Sequence, residues 1–419
     1  MTRGGECLRV AVIVESFPDT GGGFHQSVSI AEALVSRRDA GHEFVALTPH
    51  RVTRDRLRAH GVEAHLFKNS VYRFLDLWSQ TPLGYAVTQR LRRAGMRRVG
   101  RHLDALLDDH HVDFVVLAEA GEAGRRVGDH PFLITVWDLD HREHPDFPDA
   151  FRNHDSQRRD RILNDALPRA TGVIVSCDYH ARLLRQLYQV PPSRAVVLPF
   201  LPSRSVARHA AGDGRATAAA VRDKYALPEH FVFYPAYFLP QKNHLYLLEG
   251  ILELERDHGI VLDVVLCGGP GAPDNSAAVR RQATALGLAS RVRFLGIVSD
   301  DELPALYQAA FALVMPSFHG PTNLPPIEAA ALGCPPVCSD LPGVREHMGE
   351  AALYCDLDRP GSLAEQLALI WNDAAVRERL QVAGATLTRE LLGVDYAARL
   401  LPMLDRYAGL RRRWAWPPA

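Results

Sequence analysis

Short apolar runs rich in β-branched residues alternate with longer helix-compatible stretches along the whole chain, and this alternation limits the fold more than any single motif. In the first half the runs are Val10–Val14, Phe44–Thr48, Phe114–Ala118, Phe132–Val136, Val173–Ser176 and Ala195–Pro199. In the second half they are Phe231–Ala236, Leu262–Cys267, Val292–Leu295, Phe311–Met315, Pro336–Ser339 and Ala352–Cys355. Continuous apolar runs of this length predict parallel strands buried on both faces. Their alternation with helices predicts βαβ units and an α/β class. At 419 residues the chain exceeds one ordinary core, so two doubly wound domains are expected. Ser203–Arg222, rich in Ala, Arg, Gly and Ser and lacking strong helical periodicity, lies between the two sets and reads as an exposed linker or insertion after a boundary near Pro202.

Hydrophobic content of 47% and charged content of 23% are those of a soluble globular protein. A formal net charge of −1 gives no global attraction to nucleic acid, which is not expected as a partner. Cys7, Cys177, Cys267, Cys334, Cys338 and Cys355 sit mostly in or beside strand-like runs. No second Cys/His pair joins Cys334 and Cys338 into a zinc set, so reduced thiols are expected. Leu8–Val14 is too short and too closely flanked by charge for a signal peptide, and no apolar run approaches the roughly 20 residues that span a bilayer. A cytoplasmic location is expected.

Phe311–His347 holds the densest chemical signal. It reads as strand, loop, short helix, strand and loop, with Glu328 set in an otherwise apolar helix. His319–Leu324 carries turn residues, Pro325 and Pro326 fit a first helical turn, and Gly333 fits the position just past its end. A helix start after a parallel strand favours anions in the adjoining crevice. A ligand with a diphosphate and a ribose fits that arrangement; a strand–loop–helix that binds nothing is the competing reading. Elsewhere, Gly21-Gly22-Gly23 follows the first strand and lets backbone approach a phosphate, or simply forms a flexible loop. Asp138-Leu139-Asp140 spells a D-x-D pattern, repeated by chance at Asp356-Leu357-Asp358, and no metal is expected from it.

The ordered parts Pro316-Ser317, Ile327-Glu328-Ala329-Ala330, Leu332-Gly333, Pro336-Val337, Ser339-Asp340 and Gly343 with Glu346 resemble the signature of glycosyltransferase family 4, the group 1 retaining enzymes of the GT-B fold. The Gly320-Pro-Thr-Asn-Leu-Pro-Pro run resembles one of its subgroups. The resemblance implies two Rossmann-like domains facing across a cleft. Residues 1–202 would hold the acceptor and 203–395 the nucleotide-sugar, with 203–222 the linker. Residues 396–419 would form a helix crossing back to the first domain and a basic tail.

The same resemblance assigns residues. The family's first Glu falls on Gly320, so the loop through Thr322, Asn323 and Leu324 would take its place beside the donor sugar, and Glu328 would hold the ribose. Lys242 matches the lysine that neutralises the departing diphosphate, while the companion arginine falls on Ala236 or Tyr237. Gly22 and Gly23 match the loop beside the donor phosphate, Gly268 a loop bordering the diphosphate, and Val298 one bordering the base. A family histidine falls on Trp137, which leaves its role to Asp138 or His141.

The implied reaction moves a hexose from a nucleoside-diphosphate sugar, GDP-mannose favoured over a UDP-sugar, to a glycan or lipid-linked acceptor with retention and without a metal or other cofactor. An inactive nucleotide-sugar-binding subunit or sensor, or an epimerase of similar architecture, is the alternative. Two basic stretches, Arg90–Arg101 and the Arg411–Trp416 tail, either contact anionic lipid on the inner membrane face or are solvated helix faces and a frayed end.

Overall fold

The apolar runs form two separate parallel sheets. In the computed structural model of the chain, the described residues are 7–16, 22–37, 41–67, 87, 90, 102–147, 154–270, 274–320 and 323–413. The first sheet has seven strands: β1 (Arg9–Ile13), β2 (Glu43–Thr48), β3 (Ala64–Leu66), β4 (Phe114–Leu117), β5 (Phe132–Thr135), β6 (Gly172–Val175) and β7 (Ala195–Val197), in the order β3-β2-β1-β4-β5-β6-β7. The second has six: β8 (Phe231–Pro235), β9 (Asp263–Cys267), β10 (Val292–Phe294), β11 (Ala312–Met315), β12 (Pro336–Ser339) and β13 (Leu353–Cys355), in the order β10-β9-β8-β11-β12-β13. Every neighbouring pair is parallel. Strands β4, β5, β6 and β11 are buried at every residue, as apolar runs without polar alternation require.

Both sheets reverse direction once. From β1 the chain moves outward through β2 and β3, then returns to lay β4 on the other side of β1; β8 and β11 repeat this in the second sheet. The connections flanking such a reversal leave on opposite faces and open a crevice beyond the strand ends, where doubly wound sheets take ligands. The residues that follow β1, β4, β8 and β11 are therefore the ones the topology places at crevices.

Two features differ from expectation. β3 is a three-residue strand, too short for its Ala-His-Leu sequence to stand out. The 203–222 stretch is not simply an exposed insertion. It contains the helix Arg204–Ala210 and the start of the helix Ala218–Tyr225, anchored by the buried Val206 and Val221. One apolar anchor per helix leaves no periodicity to read, and Thr217 caps the second helix by accepting from the Ala220 N–H at 3.2 Å. The last helix, Tyr396–Arg413, buries Tyr396, Ala397, Leu400, Leu404 and Ala408 against Val10, Val12 and Phe114 of the first sheet. The helix before it, Ala374–Leu392, packs on the helix Leu324–Ala331 of the second half, and its Arg377 donates to the Phe311 carbonyl just before β11.

At the first reversal two carboxylates meet. Glu119, buried after β4, accepts from the Ser16 N–H at 2.8 Å, from the Glu15 N–H and from the Ser27 hydroxyl. Glu15, after β1, accepts from the Ala123 N–H at 2.9 Å. Gly121 permits this approach, since a Cβ there would lie 2.1 Å from Glu15 Oε2. Burial raises Glu15 to about 7 and also raises Glu119; repulsion from Glu119 adds to the effect on Glu15. Between the ordinary value of 4.5 and about 7 the folded chain keeps a proton at Glu15 that the unfolded chain has lost. This contribution to stability therefore falls as pH rises through that window. Replacing Glu15 by Gln removes the effect. The melting temperature of E15Q minus that of the wild type should increase between about pH 5 and about pH 8, measured by circular dichroism. A difference that stays flat across the range would rule out a buried, protonated Glu15.

Candidate functional site

The second crevice is built around Lys242. After β8 the chain passes through Ala236–Leu239 into the turn Pro240–Lys242, which closes on Asn243 in the left-handed region. The Tyr234 hydroxyl donates to the Lys242 carbonyl at 2.9 Å and fixes the turn to the strand. Lys242 Nζ then reaches the segment after β11, donating to Ser317 Oγ at 3.4 Å and Asn323 Oδ1 at 3.2 Å. Asn323 in turn donates through Nδ2 to the Gly320 carbonyl. Gly320 sits at φ +97°, where a side chain would be strained. The lysine is thus aimed by neutral oxygens, which leave its charge uncancelled by these two contacts.

Asn323 precedes the helix Leu324–Ala331, with Pro325 and Pro326 in its first turn. Proline lacks an N–H, so this helix start offers an anion fewer donors than the sequence reading assumed, with Leu324 and Ile327 the ones left in the first four positions. Across the gap, the helix Gly22–Val35 presents its own start, which carries no acidic residue in its first turn. The halves come close at Gly22, where a Cβ would lie 3.3 Å from Leu324, and within the first half a Cβ on Gly23 would lie only 2.3 Å from the Trp137 ring.

These groups enclose a cavity of about 370 Å³ to which Gly22, Gly23, Asp138, Lys242, Gly320, Asn323 and Leu324 all contribute. Trp137, Ala236 and Tyr237 line it as well, whereas Glu328, Gly268, Val298 and His141 do not. Glu328 is buried, with Oε1 accepting from the Ser203 N–H at 3.3 Å and Oε2 from the Tyr307 hydroxyl at 3.1 Å. Gly268, at φ +146°, lets its loop pass Ala236, whose carbonyl oxygen would lie 2.1 Å from a Cβ, and Val298 is half-buried nearby in sequence to the exposed Ile297. His141 is buried in the first half with Nε2 at 3.2 Å from both Asp160 and the Tyr188 hydroxyl. Burial, and then the Arg159 charge, push its pKa down. Thr322, Leu91–Arg101 and Trp414–Trp416 lie outside the described residues.

The loop after β5 supplies the first half's charged groups. Burial pushes the Asp138 carboxyl up, but the charge and hydrogen bonds of Arg159 outweigh it and hold the group well below the usual carboxylate range. Asp138 is thereby a weak base and a strong hydrogen-bond acceptor. Asp140 crosses to the second half, where its Oδ2 meets His319 Nδ1 at 2.6 Å. His319 is buried, stacked on His144 at 5.4 Å and met edge-on by Phe147. Glu346 makes a second bridge, accepting from the Asp178 and Tyr179 N–H groups at the start of the helix Asp178–Tyr188.

A second cavity of about 360 Å³ opens in the first half among Glu15, Ser16, Glu119, Arg158 and Leu163. Trp137, Asp138 and Arg159 line both cavities, so this trio forms the wall between them. The indole Nε1 of Trp137 is buried without a hydrogen-bond partner among the described residues. Arg159 and His319 were not found from sequence. Arg159 lies in Gln157-Arg158-Arg159-Asp160-Arg161, which reads as a solvated helix face. His319 adjoins Gly320 inside the segment already singled out, and that position was the available signal.

Comparison with known proteins agrees with this architecture. Residues 220–386 match the family model described as Glycosyl transferases group 1. The chain is 33% identical over 199 residues to D-inositol 3-phosphate glycosyltransferase of Corynebacterium efficiens, covering 46% of each chain. It is 27% identical over 221 residues to O-antigen chain mannosyltransferase B of Escherichia coli, covering 52% of this chain and 56% of that one. The chain thus spans about half the length of these curated relatives. Among solved structures it resembles a glycosyltransferase from Rickettsia africae, with TM-score 0.69 at 14% identity over 96% of this chain and 98% of the other. It also resembles Anabaena Alr3699/HepE, solved in complex with UDP and glucose, with TM-score 0.66 at 16% identity over 96% and 100%. The chain therefore has the GT-B fold, and its second half carries the glycosyl transferases group 1 match.

Proposed function

We propose that this protein is a retaining glycosyltransferase that moves a hexose from a nucleoside-diphosphate sugar to an acceptor hydroxyl. One observation carries the reading: Lys242 is aimed by Ser317 and Asn323 into a cavity between the strand ends of two doubly wound sheets. As the glycosidic bond breaks, negative charge builds on the departing diphosphate. Lys242 and the start of the helix Gly22–Val35 stabilise that charge from fixed positions, which is the most effective form of electrostatic catalysis. No metal is required for this step. Asp138, held strongly ionised, orients a sugar hydroxyl and does not take its proton; the departing phosphate accepts the acceptor's proton on the same face, and configuration is retained. The bridges from Asp140 to His319 and from Glu346 to the Asp178 helix hold the halves together and limit water at the reacting bond.

The donor is read as GDP-mannose ahead of a UDP-sugar, supported by the mannosyltransferase among the curated relatives. The acceptor is read as a glycan or lipid-linked saccharide in surface polysaccharide or glycoconjugate synthesis. Among the described residues no helix is long and apolar enough to cross a membrane. Lipid-linked acceptor would reach the cleft through peripheral contact of Arg90–Arg101 or the C-terminal tail with an anionic inner membrane face.

A thermal-shift screen of GDP-mannose, other GDP-sugars and UDP-sugars should rank the donors, because a ligand at about 100 times its Kd stabilises by about 2.7 kcal/mol. GDP-mannose should give the largest shift, and a larger UDP-sugar shift would reverse the donor assignment. With the best donor, Lys242→Ala should lower kcat/KM by roughly 10²–10³-fold, as losses of such electrostatic groups do. Binding without turnover in the wild type across donors and acceptors would favour the sensor reading. Gly23→Ala forces Trp137 to move and should raise the donor KM while circular dichroism stays native; an unchanged KM would remove Gly23 from the donor cavity.

A further inference from the structure

The donor cavity holds more anionic demand than one lysine can meet. A nucleoside diphosphate carries at least two negative charges in the ground state, and charge increases on it as the sugar leaves. Lys242 and Arg159 are the only lysine and arginine among the described residues that line this cavity. They come from opposite halves, Lys242 from the turn after β8 and Arg159 from the helix Asp155–Ala166.

Arg159 is arranged to do more than balance Asp138. Its side chain is 28% exposed, so the guanidinium is neither solvated freely nor sealed in the core. Nη2 donates to Asp138 Oδ1 and, at 3.2 Å, to the Asp138 carbonyl. Nε and Nη1 make no hydrogen bond among the described residues. A guanidinium is a planar fork of five donors, and fixing one arm sets the plane of the others. Asp138 is itself held by a second donor, the Asp140 N–H at 3.2 Å, so the anchor is rigid. The remaining donors form charge-assisted bonds to phosphate oxygens at low ordering cost.

Resting on the donor-site reading above, we propose that Arg159 binds the diphosphate of the donor from the first half of the molecule, opposite Lys242. Asp138 is then the residue that orients Arg159. The diphosphate bridges the two halves, and its binding energy favours the closed cleft. Once the sugar is transferred, the nucleoside diphosphate stays clamped until the halves separate.

The test measures binding of GDP, UDP, guanosine and uridine by calorimetry to the wild type, Arg159→Gln, Arg159→Lys, Asp138→Asn, the double variant D138N/R159Q, and Lys242→Ala. R159Q should weaken binding of the preferred diphosphate by roughly 10- to 100-fold, the range expected for losing hydrogen bonds to a charged group, and leave nucleoside binding unchanged. R159K, which retains the charge without the fork, should fall between; it serves as the readout if R159Q does not fold. D138N/R159Q should remain as weak as R159Q. If that double variant regains wild-type affinity, Arg159 only neutralises Asp138, and the proposal fails. If R159Q binds the diphosphate as tightly as the wild type while K242A does not, the proposal fails and the donor site stands. If the wild type binds neither diphosphate, the donor-site reading falls and this inference with it.

Discussion

Everything in the cleft depends on one constraint of parallel sheets: all the strands of a sheet deliver their carboxyl ends to the same edge. Each sheet here adds a single reversal, between β1 and β4 and between β8 and β11. The segments that flank it are driven apart, and a gap is left that no strand fills. Glu15 and Glu119 follow the first pair of strands, and Lys242 and Asn323 follow the second pair. Their convergence is a consequence of strand order, achieved without a dedicated structural element. A small residue then lets the halves approach, as at Gly22 against Leu324, and Gly23 makes room for the Trp137 ring within the first half.

A crevice made this way gathers charge in a partly dry place, and the protein balances it pairwise. Asp138 is ion-paired with Arg159, and Asp140 is hydrogen-bonded to His319. Among the described residues Glu15 and Glu119 accept hydrogen bonds from backbone N–H and hydroxyl donors and from no cation, and burial raises their pKa values. A carboxyl that has a cation stays ionised and can orient hydroxyls; one that burial raises holds its proton to higher pH. The two cavities on either side of Trp137 therefore offer different hydrogen-bonding chemistry to the groups entering them.

Much of this was legible in the sequence because it is local. Runs such as Phe114–Leu117 and Ala312–Met315 have no polar alternation, so burial on both faces follows directly. Lys242, Gly320 and Asn323 sit at strand ends, where topology alone predicts a crevice. What could not be read depends on distant partners. Glu328 looks available for a ligand in a helix pattern, yet the Ser203 N–H, 125 residues away, occupies one of its oxygens. His141 and Asp138 are neighbours in one loop, but the local turn sends one into the core and the other to the cavity. Arg159 is indistinguishable in sequence from the solvent-facing arginines beside it, and only the fold of the β5 loop gives it a carboxylate.

The same residues that line the cavity around Lys242 also hold the halves together, which ties opening to occupancy. Asp140 and His319 both face the cavity and bond to each other across it. Their contact is covered by His144 and Phe147, so separating the halves would uncover aromatic surface and break the Asp140–His319 hydrogen bond. Each change carries a free-energy cost. These contacts favour the closed cleft. A ligand touching both walls adds to them and cannot leave without breaking its own bonds on one side. In such an arrangement separation of the halves gates the exit of a bound ligand.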